Sequence, residues 1–212
     1  MSKAKLILLG IDGGSFNILK PLLDDGCLPT FSEILKEGCY ASLISTLPYR
    51  SLPAWTSIFT GVNPGKHGIT DHIIREKGRY LFATSRYRMV DILWKILGRF
   101  NLKQIVINEP VTYPPEKIDG IMITGFSTPP ESKNFIYPKS IIHEVNKACN
   151  NYEPDLPLGF EDIIAKDKSK GFKLISEFAE KIFKTTRHLA KHYDWDILSV
   201  TCLLYTSPSP RD

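Results

Sequence analysis

The chain has 212 residues, of which 42% are hydrophobic and 24% charged. This composition predicts a globular protein with a full core and excludes a disordered chain. The formal net charge of +4 comes from basic residues scattered along the sequence, which argues against a nucleic-acid duplex as partner. The four cysteines form no CxxC pair, so neither a zinc ribbon nor a disulfide framework is indicated.

The amino-terminal segment predicts a buried strand followed by two helices. Residues 6–10 are apolar throughout, which is typical of a strand covered on both faces. They are too few for a signal peptide or a membrane span, so a cytoplasmic location without a membrane partner is expected. Ser15 can cap a first helix that Gly26 ends. Residues 29–38 predict a second helix, with proline at its start and glycine at its end.

The next segment leads to a serine beside a short helix. Residues 39–46 alternate weakly and predict a strand that runs toward Ser51. The helix after Ser51 is expected to start at Pro53 and to end by Gly61. Residues 63–68 contain a proline and two glycines and are therefore expected to form a loop.

The rest of the chain alternates helices with apolar strands. Helices are predicted over residues 91–100, 138–148 and 172–192, and buried strands over 104–108, 121–124 and 195–200. Strands that alternate with helices predict an α/β fold, a three-layer α/β/α arrangement around a doubly wound, mostly parallel sheet.

The pattern divides the chain into four parts. Residues 1–126 are expected to build the amino-terminal part of the core, and residues 127–170, rich in proline and charge, an insertion or lid. Residues 171–200 return to the core with a helix and a strand. Residues 201–212 carry two prolines and resemble a translated sequencing adaptor, which predicts a foreign or disordered tail on a sequence truncated at its carboxyl end.

Asp12 and Ser51 are the candidate site residues. In a parallel sheet the strand carboxyl ends and the facing helix N-termini form the crevice where ligands bind. A carboxylate and a hydroxyl brought together there suit a metal-assisted nucleophile. The competing interpretations are that Asp12 hydrogen-bonds its turn and that Ser51 only caps a helix. His67 is expected to brace its loop, and His188 and His192 to lie on a solvated helix face.

Two motifs resemble the alkaline phosphatase superfamily, within it the branch of type I phosphodiesterases and nucleotide pyrophosphatases. They are Gly10-Ile11-Asp12-Gly13-Gly14 and residues 51–69, and the likeness extends from residue 5 to about residue 200. Trp55 stands where the sulfatases of this superfamily carry an arginine. This difference disfavours sulfate-ester chemistry.

The resemblance implies a phosphohydrolase that works through a phosphoseryl intermediate. Ser51 matches the nucleophile and a metal ligand, and Asp12 matches a ligand of one of two divalent ions, usually zinc, with manganese or magnesium as alternatives. The substrate would be a small phosphate ester or a nucleotide. The family's other ligands, two aspartates and three histidines, are expected beyond the last strand, so this chain alone is expected to be inactive. The alternatives are a phosphoglycerate mutase-like phosphotransferase and a non-catalytic α/β binding module.

Overall fold

A computed structural model describes residues 5–129, 131–157 and 160–202. Seven strands lie in these ranges: β1 (Leu6–Ile11), β2 (Ile73–Glu76), β3 (Arg79–Phe82), β4 (Gln104–Glu109), β5 (Gly120–Thr124), β6 (Ile136–Tyr137) and β7 (Ile197–Cys202). Eight α-helices accompany them: α1 (Phe16–Asp24), α2 (Pro29–Glu37), α3 (Ser51–Thr60), α4 (Pro64–His67), α5 (Leu93–Gly98), α6 (Ile142–Cys149), α7 (Phe160–Lys166) and α8 (Lys168–His192).

Five strands form one mixed sheet in the order β1-β7-β4-β5-β6. The first four are parallel, and β6 joins β5 in the antiparallel direction. In the register of this sheet Ile11 lies opposite Cys202, and Val200 lies opposite Ile107. The carboxyl ends of β1, β7 and β4 therefore share one edge, and this edge carries the candidate site.

Helices cover both faces of the sheet because successive side chains of a strand point to opposite sides. On one face Ile105, Ile107, Ile121 and Ile123 pack against residues of α6 and α8, among them Val145, Ile182 and Leu189. On the other face Val106 and Met122 pack with Phe59 of α3 and Trp94 of α5. The predicted three-layer, mostly parallel α/β fold is therefore the fold of the described residues.

β1 is less buried than its sequence predicts. Leu6, Ile7 and Leu9 are 50%, 60% and 47% exposed, and none of the residues of α1 or α2 is buried. The physical reason is position, because among the described strands β1 pairs only with β7 and forms an edge of the sheet. Apolar content therefore predicts the strand correctly but does not decide how fully it is covered.

Other expectations differ in local detail. Residues 39–46 form no strand, and β2 and β3 make an antiparallel hairpin that was not predicted. α3 begins at Ser51 rather than at Pro53. A proline fits inside the first turn because its missing N–H would have no acceptor within the helix. A short helix, α4, interrupts the predicted loop at residues 63–68.

Described residues of the segment 127–170, which was expected to form an insertion or lid, contribute to the core. Phe135, Ile136, Val145, Leu156 and Phe160 belong to the same buried cluster as the central strands. Thr201 and Cys202, which were assigned to the tail, extend β7, while the remainder of the predicted tail, residues 203–212, lies outside the described residues. None of the described helices combines the length and apolar character that a membrane span requires.

Candidate active site

Asp12 lies immediately after β1, at the edge where the parallel strands end. Its backbone N–H donates to the carbonyl of Cys202 over 3.0 Å, which fixes the residue against β7. Its Oδ1 atom accepts hydrogen bonds from the indole Nε1 of Trp55 at 3.1 Å and from the Ser51 hydroxyl at 3.4 Å. No described residue donates a hydrogen bond to Oδ2, so the lone pairs of this oxygen are available to a ligand.

The environment of Asp12 has opposing effects on its pKa. Burial raises the pKa because it disfavours the charged form of the carboxyl. The hydrogen bonds from Trp55 and Ser51 and the nearby His72 favour the carboxylate and oppose this effect. The net pKa lies above the ordinary value of 3.8. A cation beside Oδ2 would compensate the same desolvation.

Ser51 occupies the first residue of α3, and Arg50 is the N-cap residue. The side chain of Ser51 donates to Asp12, so it does not cap the helix. The interpretation of Ser51 as a simple helix cap is therefore not the geometry observed. Leu52 and Phe59 are buried and anchor α3 in the core, and the positive end of the helix dipole lies beside the hydroxyl.

His67 braces α3 against the loop that follows it. The side chain is fully buried, and its Nδ1 accepts the backbone N–H of Ile69 at 3.1 Å. The ring proton therefore sits on Nε2, which donates to the Ser57 hydroxyl at 2.9 Å, and Ser57 donates in turn to the carbonyl of Pro53. Burial lowers the pKa of His67, so the neutral ring links α4 to the first turn of α3.

The structure also brings Arg50, Asp71 and His72 to the site. Asp71 Oδ1 lies 3.6 Å from Arg50 Nη1 and 3.5 Å from His72 Nδ1. Burial lowers the pKa of His72, while Asp71 and Asp12 oppose that effect. Sequence reasoning missed these residues because a single polar side chain in a loop carries no periodic signal.

Glu109 is a buried carboxyl at the end of β4, near the site. It is 1% exposed and accepts hydrogen bonds from the hydroxyls of Ser199, at 2.5 Å, and Thr201. Burial raises the pKa of Glu109 to about 8. The Thr201 hydroxyl also limits the space beside Gly10, where an added β-carbon would lie 2.5 Å from it. Nothing in the sequence distinguishes Glu109 from an exposed strand-end glutamate.

The remaining histidine pair and the cysteines have structural surroundings. His188 Nε2 lies 2.7 Å from Glu144 Oε1, and the ring of His192 stacks on it at a centroid distance of 4.3 Å. His188 therefore joins α8 to α6, whereas His192 is exposed, as expected of a solvated helix face. Cys27 and Cys39 are exposed and Cys149 is buried, and all four thiols are free.

Asp12 and Ser51 bring a carboxylate and a hydroxyl together at the strand edge. Both offer oxygen atoms, which suit zinc, manganese or magnesium, and Oδ2 of Asp12 is open. Across residues 5–129, 131–157 and 160–202 no three histidine, cysteine, aspartate or glutamate side chains group closely enough to hold a metal ion. A catalytic zinc normally takes three protein ligands. The described donors therefore fit the group in kind but do not complete its coordination.

An aspartate follows the first strand of a mostly parallel sheet and contacts a serine at the start of a helix. The protein is an α/β protein with an alkaline phosphatase-like fold. The chain belongs to the type I phosphodiesterase / nucleotide pyrophosphatase family, whose model matches residues 6–200. This assignment confirms the predicted family. A comparison with curated proteins gives no match.

Two solved structures show the same fold. They are phosphonoacetate hydrolase from Sinorhizobium meliloti 1021 in complex with phosphonoacetate, at 15% identity, and in complex with phosphonoformate, at 14% identity. Both superpose with a TM-score of 0.65, over 94% of this chain and 46% of the hydrolase. The chain thus spans about half the length of these solved structures.

Proposed function

We propose that this chain carries the nucleophile half of a metal-dependent phosphohydrolase of the phosphodiesterase or nucleotide pyrophosphatase type. The observation that carries the proposal is the 3.4 Å contact between the Ser51 hydroxyl and Asp12 at the ligand-binding edge of the sheet. Membership in the phosphodiesterase family supports the reaction class. Ser51 is the proposed nucleophile, and Asp12 and Ser51 are the proposed metal ligands.

The proposed reaction is an in-line displacement at phosphorus. Ser51 Oγ loses its proton to solvent and forms a bond to phosphorus as the bond to the leaving oxygen breaks; the leaving group departs with that electron pair and takes up a proton from solvent. Water then attacks the phosphoseryl group, which releases the phosphate product, and a proton returns to Ser51 Oγ. A divalent cation, when bound, lowers the pKa of the serine hydroxyl and neutralises charge on the phosphoryl oxygens.

The residues of this chain orient the nucleophile. Trp55 and the fixed backbone of Asp12 hold Oδ1 toward Ser51, which leaves Oδ2 for the cation. The amino end of α3 favours negative charge on Ser51 and on the phosphoryl group. His67 and Ser57 fix the first turn of α3 through the Pro53 carbonyl.

The proposed substrate is a small phosphate ester or a nucleotide. The structural neighbour holds phosphonoacetate or phosphonoformate, which supports a site for small anions on this fold. The described residues do not complete a metal site, so we propose that the full activity belongs to a longer protein that contains this sequence. The 212-residue chain alone is then inactive.

A zinc-supplemented assay with bis(4-nitrophenyl) phosphate tests the proposal on the 212-residue chain and on a longer reading frame that contains it. We expect turnover by the longer protein only. Ser51→Ala should reduce that turnover by about 10³-fold or more. Ser140→Ala removes an exposed hydroxyl beyond β6, at the other end of the sheet, and should leave the rate unchanged.

Three results would overturn parts of this proposal. Full turnover by the Ser51→Ala variant of the longer protein would remove Ser51 as the nucleophile. Turnover by the 212-residue chain, lost on Ser51→Ala, would show that the described residues suffice. Transfer of the phosphoryl group back to the substrate without release of phosphate would identify a phosphotransferase instead.

A further inference from the structure

Arg50 presents a guanidinium group whose hydrogen-bonding capacity is unused. Its Nη1 lies 3.6 Å from Asp71 Oδ1, which is an ion pair but too long for a hydrogen bond. The side chain is 55% exposed, and no described residue accepts a hydrogen bond from it. The five N–H donors of this fixed fork are therefore unused by the described residues, and Arg50 directly precedes the proposed nucleophile in the chain.

The contrast with Arg88 shows what a structural arginine looks like in this protein. The Arg88 side chain is 3% exposed, and its Nη2 binds Glu116 Oε2 at 2.6 Å. Its Nε and Nη1 donate to the carbonyls of Val90 and Val111. Arg88 thus uses its N–H groups to bind the protein itself, whereas Arg50 has only the ion pair with Asp71.

The ion pair with Asp71 restrains the side chain of Arg50. Asp71 Oδ1 also accepts the backbone N–H of His72 at 2.6 Å, so the carboxylate is itself held in place. His72 interacts electrostatically with both Arg50 and Asp12, so the guanidinium and the carboxylate share one charged neighbour. The first turn of α3 contains no acidic residue, so its positive end adds to the charge of Arg50.

An exposed, paired arginine contributes little to stability. Ion pairs between exposed side chains are typically worth about 0–1 kcal/mol. A planar guanidinium is, however, well matched to a phosphate or a carboxylate through two parallel hydrogen bonds. The geometry at Arg50 therefore suits a ligand better than a structural role.

We propose that Arg50 binds a second anionic group, a phosphate or a carboxylate, on a substrate whose phosphorus reacts at Ser51. The inference rests on the proposed function and deepens it. Because Arg50 directly precedes Ser51 in the chain, the second anion lies within a few bonds of the reacting phosphorus. Diphosphates and carboxylated phosphate compounds are then preferred over esters with a single anionic group.

The test is a nuclear magnetic resonance titration of the 212-residue chain in metal-free buffer. The probes are methylphosphonate, with one anionic group, and methylenediphosphonate, with two, and the backbone amides of Ser51 and Leu52 report binding. We expect methylenediphosphonate to bind about tenfold more tightly. Arg50→Gln should remove this advantage and leave the affinity for methylphosphonate nearly unchanged, whereas Arg50→Lys should retain part of it.

Arg99→Gln is the matched control. Arg99 is an exposed arginine paired with Asp91, and it lies between α5 and the amino end of β4, at the opposite edge of the sheet. Its substitution should change neither affinity. If Arg50→Gln keeps the full preference for methylenediphosphonate, the proposal of a second-anion site is wrong. Chemical-shift changes of the Ser51 amide on addition of methylphosphonate would still support the proposed function in that case. If neither probe shifts these amides, the second-anion site is wrong, while the assay of the longer protein decides the proposed function separately.

Discussion

The buried carboxyl of Glu109 makes the stability of this protein depend on pH. Among the described residues its hydrogen-bond partners are the hydroxyls of Ser199 and Thr201, and no cation accompanies it there. Burial raises its pKa from an ordinary 4.5 to about 8. The folded protein therefore binds this proton more tightly than the unfolded chain does.

The sign and the size of the effect follow from this difference in pKa. The contribution of the protonated carboxyl is fully present below pH 4.5 and is lost as the pH rises through about 8. At about 1.4 kcal/mol for each pH unit, the free energy of unfolding falls by about 4 kcal/mol between pH 5 and pH 8. The free energy of unfolding of a whole domain is typically about 5–15 kcal/mol, so this change is a large share of it.

Glu109→Gln removes the charge and keeps the shape. The amide oxygen can accept one hydroxyl and the amide nitrogen can donate to the other. Urea denaturation at pH 5, 6, 7 and 8, with a reductant for the free thiols, measures the free energy of unfolding of both proteins. We expect similar stability near pH 5 and a growing advantage of the variant toward pH 8.

Glu180→Gln is the control for this measurement. Glu180 is an exposed glutamate on α8 that pairs with Lys184, so its substitution should not alter the pH dependence of stability. A difference between Glu109→Gln and the natural protein that stays constant from pH 5 to pH 8 would refute the argument. It would mean that Glu109 is ionised in the folded state at neutral pH.

Two further substitutions test the supports of the site. Trp55→Phe removes the N–H donated to Asp12, so the pKa of Asp12 should rise further in a carbon-13 titration of its carboxyl. Trp195→Phe is the control, because it also loses an indole hydrogen bond but should not affect that titration. The same pKa of Asp12 in both variants would contradict the role of Trp55. Gly10→Ala places a β-carbon 2.6 Å from the Trp55 ring and should lower the free energy of unfolding by about 1–3 kcal/mol. Gly65→Ala is the control, because its β-carbon would be 3.4 Å from its nearest neighbour, and urea denaturation should show no decrease in its free energy of unfolding. A decrease as large as that of Gly10→Ala would show that the clash with Trp55 is not the cause.

Regular elements with a continuous pattern were predictable. Strands β4, β5 and β7 are each built around a short apolar stretch, and the long helix α8 repeats its apolar residues at helical spacing. The weak alternation at residues 39–46 predicted a strand that does not form, because alternation stabilises a strand only where a neighbour supplies the hydrogen bonds. The short β2 and β3 hairpin has too few residues for a periodic signal.

The pairing of Asp12 with Ser51 was also predicted from position, and the structure places the two side chains in contact. Their roles as metal ligand and nucleophile stay predictions. The start of α3 was placed two residues late because proline is tolerated in a first turn as well as at its opening. His72 and Arg50 were missed because their significance depends on neighbours far away in sequence.

By itself, the sequence determined the α/β class, the main strands and the two chemical groups at the site, because apolar runs and turn residues act locally along the chain. Tertiary structure alone decided that Glu109 is buried beside two hydroxyls and that β1 lies at an exposed edge. It also decided that Arg50, Asp71 and His72 meet beside Ser51. Burial and charge at these positions are set by the packing of segments that are distant in the chain, and no local pattern encodes that packing.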